Sequence, residues 1–475
     1  GGVKFMDQIE KIVSLCKRRG FIFPSSEIYG GFGSCYDFGP LGVELKNNIK
    51  KLWWDEMTKM HNNIVGLDAS ILMSPKVWQA SGHTKNFTDP LVECKSCHKR
   101  FRADHLIEKF KNSQKIDEHS KFTEEELKDI TKMVSEIKCP ECKGELTPPR
   151  QFNLMFKTFI GPVEDEASVA YLRPETAQGI FVNYKNILDS QRVKTPFGIA
   201  QIGKAFRNEI TPGNFIFRLR EFEQMELEYF VKPGEDEKIF DYWVEERVKW
   251  YVEILGIKQE NLRIRPHEKE ELAHYAKSCV DIEYNFPFGW SEIEGIANRT
   301  DFDLIQHQKS SGVDLRYFDE KEKKYYIPYV IEPSSGVERI LFAVLCDSFE
   351  EISGGRTRTT KSTKEIETVL RFNKKTAPVK IAILPLVKNK PEIVEKAKEI
   401  YHLLKPYFVC QYDEKGSIGR RYRRQDEIGT LYCLTIDFES LKNNDVTIRN
   451  RDTMQQERVK TKDLKQKLTQ LLNTY

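Results

Sequence analysis

The side chains of this chain best placed to do chemistry together lie in residues 198–231, GIAQIGKAFRNEITPGNFIFRLREFEQMELEYFV. Two strand-like arms flank a turn carrying Pro212, Gly213 and Asn214, so a β-hairpin is the natural reading. Side chains on a strand alternate between its faces. On the second arm Phe222, Gln224, Glu226 and Glu228 therefore share one face, and Glu221, Glu223, Met225, Leu227 and Tyr229 the other. One face is thus dominated by acids and an amide beside an aromatic, with Arg207, Arg218 and Arg220 in the same hairpin. Two readings fit. One is a solvated hairpin laced by ion pairs, although such pairs contribute little. The other is a polar site holding an anion on its arginines, whose planar forks match phosphate oxygens, and a cation on its carboxylates. An amino acid together with a nucleoside triphosphate meets both demands.

Further segments carry similar chemistry. RPETAQGIF (173–181) sets another Arg and Glu beside an apolar run, and IEPSSGVERILFAVL (331–345) sets Glu332 and Ser334 before a glycine and Arg339 in the first turn of an apolar helix. Taken alone, Arg339 reads more readily as a helix salt-bridge partner than as a functional group; it is the three segments together that point to function. Cys94 and Cys97, with Cys139 and Cys142, form two C-x-x-C pairs that suit a tetrahedral zinc site of four thiolates. The 41 residues between the pairs exceed the usual spacing, so free thiols are the competing reading. His98 and His105 are expected at the surface, and the other six cysteines as ordinary thiols. Near the C-terminus Arg420, Arg421, Arg423 and Arg424, with Tyr422 between them, form a basic, aromatic-bearing cluster expected in a loop. Such a cluster suits RNA phosphates and unstacked bases, or is a solvated charged face that Asp426 and Glu427 partly neutralise.

These residues need a framework to hold them. A length of 475 residues implies two or three domains with a sizeable core, and 39% hydrophobic against 31% charged residues is a globular balance. A net charge of +3 confines any basic surface to a local patch. No apolar run is long enough to span a membrane and none at the start is of signal-peptide type, so a cytoplasmic protein with reduced cysteines is expected. Helices are expected over residues 7–19, in the stretch holding Val43, Leu45, Ile49, Leu52 and Trp53, over 124–137, 236–254, 337–345 and 392–404. Strand-like runs fill 151–231, 280–284, 325–331, 381–387, 408–412 and 431–436. The charge-rich residues 93–146 look inserted. The expected division is a catalytic body at 1–92 and 147–352, a polar linker at 353–376, and a C-terminal α/β domain at 377–475.

The order of these segments resembles the class II aminoacyl-tRNA synthetases. Gly39, Pro40, Leu41 and Gly42 with the helix after them are similar to their motif 1; Phe206, Arg207, Asn208 and Glu209 in the hairpin to motif 2; and Gly336, Val337, Glu338 and Arg339 to motif 3. The runs SSEIYGG, WQASGH, RPETAQGIFVNYKN, REFEQME, GIANRTDFDL and GSIGRRYRRQDEIGT resemble the dimeric glycyl-tRNA synthetases in particular, over nearly the whole chain. The resemblance implies an α+β fold: an antiparallel sheet flanked by helices, a small inserted domain, and a C-terminal α/β anticodon-binding domain. It implies glycine–tRNA ligation, with ATP, Mg²⁺, tRNA(Gly) and glycine as participants, in a homodimer with no membrane association. By analogy Arg207 would hold the α-phosphate and Arg339 the γ-phosphate, and Phe222 would stack on adenine. Asn208, Glu209, Phe217, Arg218, Leu219, Arg220, Glu221, Ile293, Gly336, Val337 and Glu338 would complete the nucleotide site, and Glu292 would help bind Mg²⁺ unless it is a simple surface acid. Glu175, Glu226 and Glu332 would take the glycine ammonium, with Ser334 against its α-carbon. Arg102, Phe222, Glu223, Gln224, Met225, Pro333, Ser335 and Gly336 would be near the amino acid, and the C-terminal arginines near the tRNA. Apolar residues around Trp53 and Trp54 suit a dimer interface. A retained-fold binding protein would typically lack the two motif arginines that stand here, and a synthetase for serine, threonine, proline or alanine fits the three carboxylates and REFEQME less well.

Overall fold

The computed structural model describes residues 2–114, 124–210, 213–356 and 366–473. At its centre is a seven-stranded sheet in the order Leu262–Pro266, Ser278–Phe286, Gly289–Thr300, Tyr329–Gly336, Glu221–Val231, Phe197–Phe206 and Ile64–Gly66. All its pairings are antiparallel except at one edge, where Ile64–Gly66 runs parallel to its neighbour. The expected hairpin forms the middle of this sheet, with Phe222 opposite Ala205 and Glu226 opposite Gln201; Pro212 of its turn lies outside the described residues. On the other side Glu226 faces Ser334, which in turn faces Gly295. Gln201, Glu226, Ser334 and Gly295 therefore form one row across four strands, on one face.

The opposite face is apolar. Met225 and Leu227 join Leu45, Ile49 and Trp53 of helix Pro40–Asp55 and Ile340, Leu341 and Phe342 of helix Val337–Ser348 in one core. Pro40 opens its helix at the first helical position, where a missing N–H costs nothing, and Leu45, Ile49 and Trp53 recur every fourth residue on its buried face. Between the two helices and the sheet, Lys46 is a buried cation that bonds Glu338 at 2.8 Å and Glu223 at 3.1 Å.

Several local expectations are corrected. Residues 177–191, read as part of a strand-like stretch, form helix Ala177–Gln191, whose Ile180, Phe181 and Tyr184 are buried. The 325–331 run is divided between strands Lys324–Tyr326 and Tyr329–Gly336. The insertion has its own sheet, made of Thr88–Glu93, Arg100–Arg102 and Arg150–Asn153, so its fold reaches beyond 93–146 on both sides. In the presumed linker, Ile366–Leu370 is a strand paired with Phe349–Ser353, and Leu370 and Phe372 are core residues. The C-terminal unit is a five-stranded sheet in which Cys410–Tyr412, Ile381–Pro385 and Tyr432–Ile436 are parallel and Asp445–Asn450 and Gln456–Lys460 complete an antiparallel edge. Trp53 is wholly enclosed by its own chain, which removes it from any subunit interface.

One glycine fixes the approach of the Pro40–Asp55 helix. A Cβ on Gly42 would lie 1.8 Å from the carbonyl oxygen of Phe21. Gly42→Ala is expected to destabilise the fold by at least about 1–3 kcal/mol, the range for overpacking, measured by urea unfolding.

Candidate active site

The polar face of the sheet floors a cavity of about 310 Å³. Strand alternation delivers Phe222, Gln224 and Glu226 to it from the Glu221–Val231 strand, and Glu332 and Ser334 from the Tyr329–Gly336 strand. On the Gly289–Thr300 strand, Gly295, Ala297 and Arg299 face the cavity. There the pairing passes from Ile282–Glu294 to Glu283–Glu292, leaving Ile293 as an extra residue. This β-bulge turns Glu292 to the cavity side, while Glu294 points to the back and pairs with buried Arg247 at 2.7 Å.

One end of the cavity is set up for anions. Among the described residues the Arg207 guanidinium donates only to the Pro174 carbonyl, at 3.0 Å, and lies 5.3 Å from the Phe222 ring. Arg339 stacks 4.0 Å over Phe217, donates to the Phe217 and Glu292 carbonyls, and is 3.7 Å from the half-exposed Glu292 carboxylate. Although the carboxylate can be reached from the cavity, desolvation by the surrounding walls, and then the charge of Asp281, hold the Glu292 carboxyl above its ordinary value. Arg218, Glu209, Leu219, Ile293, Gly336 and Glu338 also line this end.

The other end is acidic. Burial works against ionisation of Glu175, but His83 at 3.3 Å, Arg299 and a hydrogen bond from Gln178 together hold it well below the usual carboxylate range. Glu226 is buried, accepts from the Thr176 hydroxyl, and is pushed up to about 8 by burial and by the charges of Glu332 and Glu175. Glu332 accepts from Arg299 at 2.9 Å. Arg299 also grips both oxygens of Asp303, at 2.8 and 2.9 Å, and lies 4.0 Å from the Tyr275 ring. Two like charges about 5 Å apart repel by roughly 3 kcal/mol at an effective dielectric of about 20, so one guanidinium cannot hold every neighbouring acid ionised.

Other predicted site residues lie elsewhere. Glu223 and Met225 are on the back face, Glu223 bound by Lys46 and Lys50 and Met225 in the core. Glu221 pairs with Lys204 at the surface. Arg220 braces the Gly33 and Glu209 carbonyls, and Asn208, Pro333 and Val337 contribute no cavity surface. Ser335, by contrast, does line the cavity, and its hydroxyl donates to the Met225 carbonyl at 3.4 Å. Arg102 lies in an adjoining cavity, paired with Asp89 at 2.8 Å and Asp104 at 2.6 Å, and Glu175 and Arg207 form the wall between the two cavities. The C-terminal arginines are on a helix, Ile418–Glu427, not in a loop. Arg421 is buried against the Pro385 and Leu386 carbonyls and Arg424 is bound to Asp413, while Arg420 is exposed. Asp426 and Glu427 pair outside the cluster, with Arg356 and Arg449 and with Arg18 and Arg19.

The four cysteines do converge. Their sulfurs lie within 4.8 Å of one another, with Cys94 and Cys142 at 3.4 Å and Cys97 and Cys139 at 3.7 Å. Zinc–sulfur bonds of about 2.3 Å in a tetrahedron require sulfur separations of about 3.8 Å, so the cage is of the right size. Backbone N–H groups of Ser96 and Cys97 point at the Cys94 sulfur, which favours a thiolate. His98 is exposed, as expected, and His105 is half-buried.

Sequence reasoning passed over Arg299, Asp303, Thr176, Gln178, Tyr275 and His83. The run GIANRTDFDL held the signal for the first two, since an Arg inside an otherwise apolar strand demands a buried partner.

An antiparallel sheet carrying an anion end and an acid end, with a hairpin arginine and a helix-start arginine, defines a class II aminoacyl-tRNA synthetase. Residues 158–348 match the family described as the tRNA synthetase class II core domain (G, H, P, S and T), and residues 380–471 the anticodon binding domain. A prolyl-tRNA synthetase from Cryptosporidium parvum, solved with halofuginone and AMPPNP, has the same fold, with a TM-score of 0.61 over 97% of this chain and 76% of that one at 14% identity. Glycine–tRNA ligases of Thermobifida fusca and Lachnospira eligens are 51% and 54% identical, covering 98% and 96% of this chain and 98% and 97% of theirs. The chain belongs to the glycine–tRNA ligase family.

The raised Glu226 carboxyl has a consequence for stability. The folded chain keeps a proton there that the unfolded chain releases near the ordinary value of 4.5, so stability falls as pH rises from there to about 8. Glu226→Gln removes this penalty. It is expected to raise the unfolding free energy by at least about 1 kcal/mol at pH 8 and by less at pH 5, measured by denaturant melts at both pH values.

Proposed function

We propose that this cavity activates glycine with ATP, giving glycyl-adenylate and pyrophosphate, and that the same chain then transfers the glycyl group to the 3′ end of tRNA(Gly). The observation that carries the reading is the separation of charge on one sheet face: arginines with no tight carboxylate partner at one end, and clustered carboxylates within a short reach at the other. Arg207, beside Phe222, suits the α-phosphate at the point of attack, with adenine on the aromatic ring. Arg339 suits the terminal phosphate of a bent ATP. Glu292, an oxygen ligand open to the cavity, fits Mg²⁺, which when bound supplies charge neutralisation of the phosphates. The ammonium of glycine is taken by Glu175, Glu226 and Glu332, and Ser334 crowds its α-carbon so that larger amino acids are rejected. The carboxylate of glycine attacks the α-phosphorus and pyrophosphate departs; the ribose hydroxyl of the tRNA then attacks the acyl carbonyl. Neither step needs a protein nucleophile, so positioning and charge stabilisation supply the catalysis.

The remaining roles follow in the same reading. Arg420 and Arg423 on the Ile418–Glu427 helix offer charge to the tRNA, and Arg421 and Arg424 hold that helix in place. No described helix is long and apolar enough to cross a membrane, and a cytoplasmic location is part of the proposal. So is a homodimer, formed around the exposed Ile28, Tyr29 and Phe32 on the loop leading into the Pro40–Asp55 helix.

ATP–pyrophosphate exchange tests the reaction. Glycine, but not alanine or serine, is expected to support exchange, and Arg339→Ala to lower kcat/KM by about 10²–10³-fold with the fold intact. Equal exchange with alanine, or an unaffected Arg339→Ala enzyme, would sink the assignment. We also propose that Cys94, Cys97, Cys139 and Cys142 bind one structural Zn²⁺. Elemental analysis is expected to find about one zinc per chain, lost in Cys94→Ser along with thermal stability of the insertion. A zinc-free, fully stable chain would leave free thiols as the answer.

A further inference from the structure

Behind the carboxylates at the acid end lies another that the proposed reaction does not use. Glu228 is two residues beyond Glu226 on the same strand and face, and it is fully buried. No donor among the described residues reaches either of its oxygens. One carboxylate oxygen from each of Glu226, Glu228 and Glu332 lies within 4.8 Å of the other two. The neighbouring charges are already committed. Arg299 is taken up by both oxygens of Asp303 and by Oε2 of Glu332, His83 lies against Glu175, and Arg173 donates to the Lys204 and Ala69 carbonyls. The Arg299 charge favours the anion, but an anion stripped of water and of donors is still far less favourable than the acid, and the acid is itself one O–H donor. Of the two acceptors in reach, Glu226 already receives the Thr176 hydroxyl. Glu332 receives Arg299 on one oxygen, and among the described residues its other oxygen has no N–H donor.

We propose that Glu228 is a neutral carboxylic acid that donates its O–H to Glu332, fixing Glu332 as an ionised carboxylate toward the ammonium of the substrate. Glu228 is thus a positioning residue. This rests on Glu332 binding the glycine ammonium. Burial, then the charges of Glu332 and Glu226, push the Glu228 carboxyl well above the usual range. Glu332 is raised by burial and drawn down by Arg299 and by the hydrogen bond from Glu228, which is the same proton placement seen from the other side.

The test compares Glu228→Gln, which keeps a neutral donor, with Glu228→Leu, which keeps bulk without one, and runs Glu332→Gln beside them. In glycine-dependent exchange at pH 7, Glu228→Gln is expected to stay within about twofold of the wild-type KM for glycine. Glu228→Leu is expected to raise it about tenfold or more with the KM for ATP unchanged, the size of one lost hydrogen bond to a charged group. Infrared difference spectra of the whole protein at pH 7 are expected to show protonated-carboxyl absorption that loses one component in Glu228→Gln while the Glu226 component remains, a readout that survives if the leucine variant does not fold. Glutamine as damaging as leucine, leucine without effect, or an unchanged infrared band would each overturn the proposal. If Glu332→Gln leaves the glycine KM untouched, the pocket reading itself fails, and the positioning role falls with it even where the infrared band reports a proton on Glu228.

Discussion

The polar face of this sheet depends on one guanidinium without access to water. Arg299 is 2% exposed and divides its donors between Asp303 and Glu332 while its plane lies against Tyr275. Removing a partner from such a group typically costs about 3–5 kcal/mol, because the remaining charge has nowhere to go. Arg299 therefore does more than add an ion pair. It decides which of the surrounding acids can be ionised, and so gives the cavity an end that receives a cation. Glu332, which it touches, is raised by burial but drawn back toward ionisation by Arg299; Glu226, which it does not bond, keeps its proton to about pH 8.

The strand beside it shows how one short sequence serves two environments. Alternate residues of Glu221–Val231 meet either the cavity or the helices behind the sheet, so Phe222, Gln224 and Glu226 face ligand space while Met225 and Leu227 fill the core. The same helices carry function forward. Val337–Ser348 packs ten buried residues into the interior, and its first turn carries Arg339 to the cavity. Lys46 ties that helix to the neighbouring one through Glu338 and to the sheet through Glu223. The arginine that meets the phosphates in the proposed reaction is thus held by the most apolar helix of the body, where rotation would expose core.

The acid end is poised in opposition to stability. Glu226, Glu228 and Glu332 are all buried, and a folded chain that must keep protons on some of them becomes less stable as pH rises. Sites that must grip a charged group from a small substrate accept this, because an apolar pocket of the same shape would bind nothing. The insertion solves a separate problem with different means. Its core is small, and four sulfurs converge beside Gly144, which is too close to Cys94 and Ser96 for any side chain, so the proposed zinc would stand in for apolar bulk there.

Sequence alone determined the hairpin, the two faces of its second strand, the two motif arginines and the pairing of the C-x-x-C knuckles, since these rest on period-two alternation, turn residues and short spacing. It determined the class as well, through the order of the motifs. Tertiary structure decided the rest. The bulge at Ile293 that brings Glu292 to the cavity breaks the periodicity a reader would extrapolate, and Ala177–Gln191 is helical because its apolar residues meet the sheet, whatever their local resemblance to a strand. Arg421 reads as one of four equivalent cations, yet only the fold shows that it faces inward to backbone carbonyls. Which acid carries a charge is likewise invisible in one dimension, because protonation is set by burial and by partners such as Arg299, which a neighbouring strand brings within hydrogen-bonding range of Glu332.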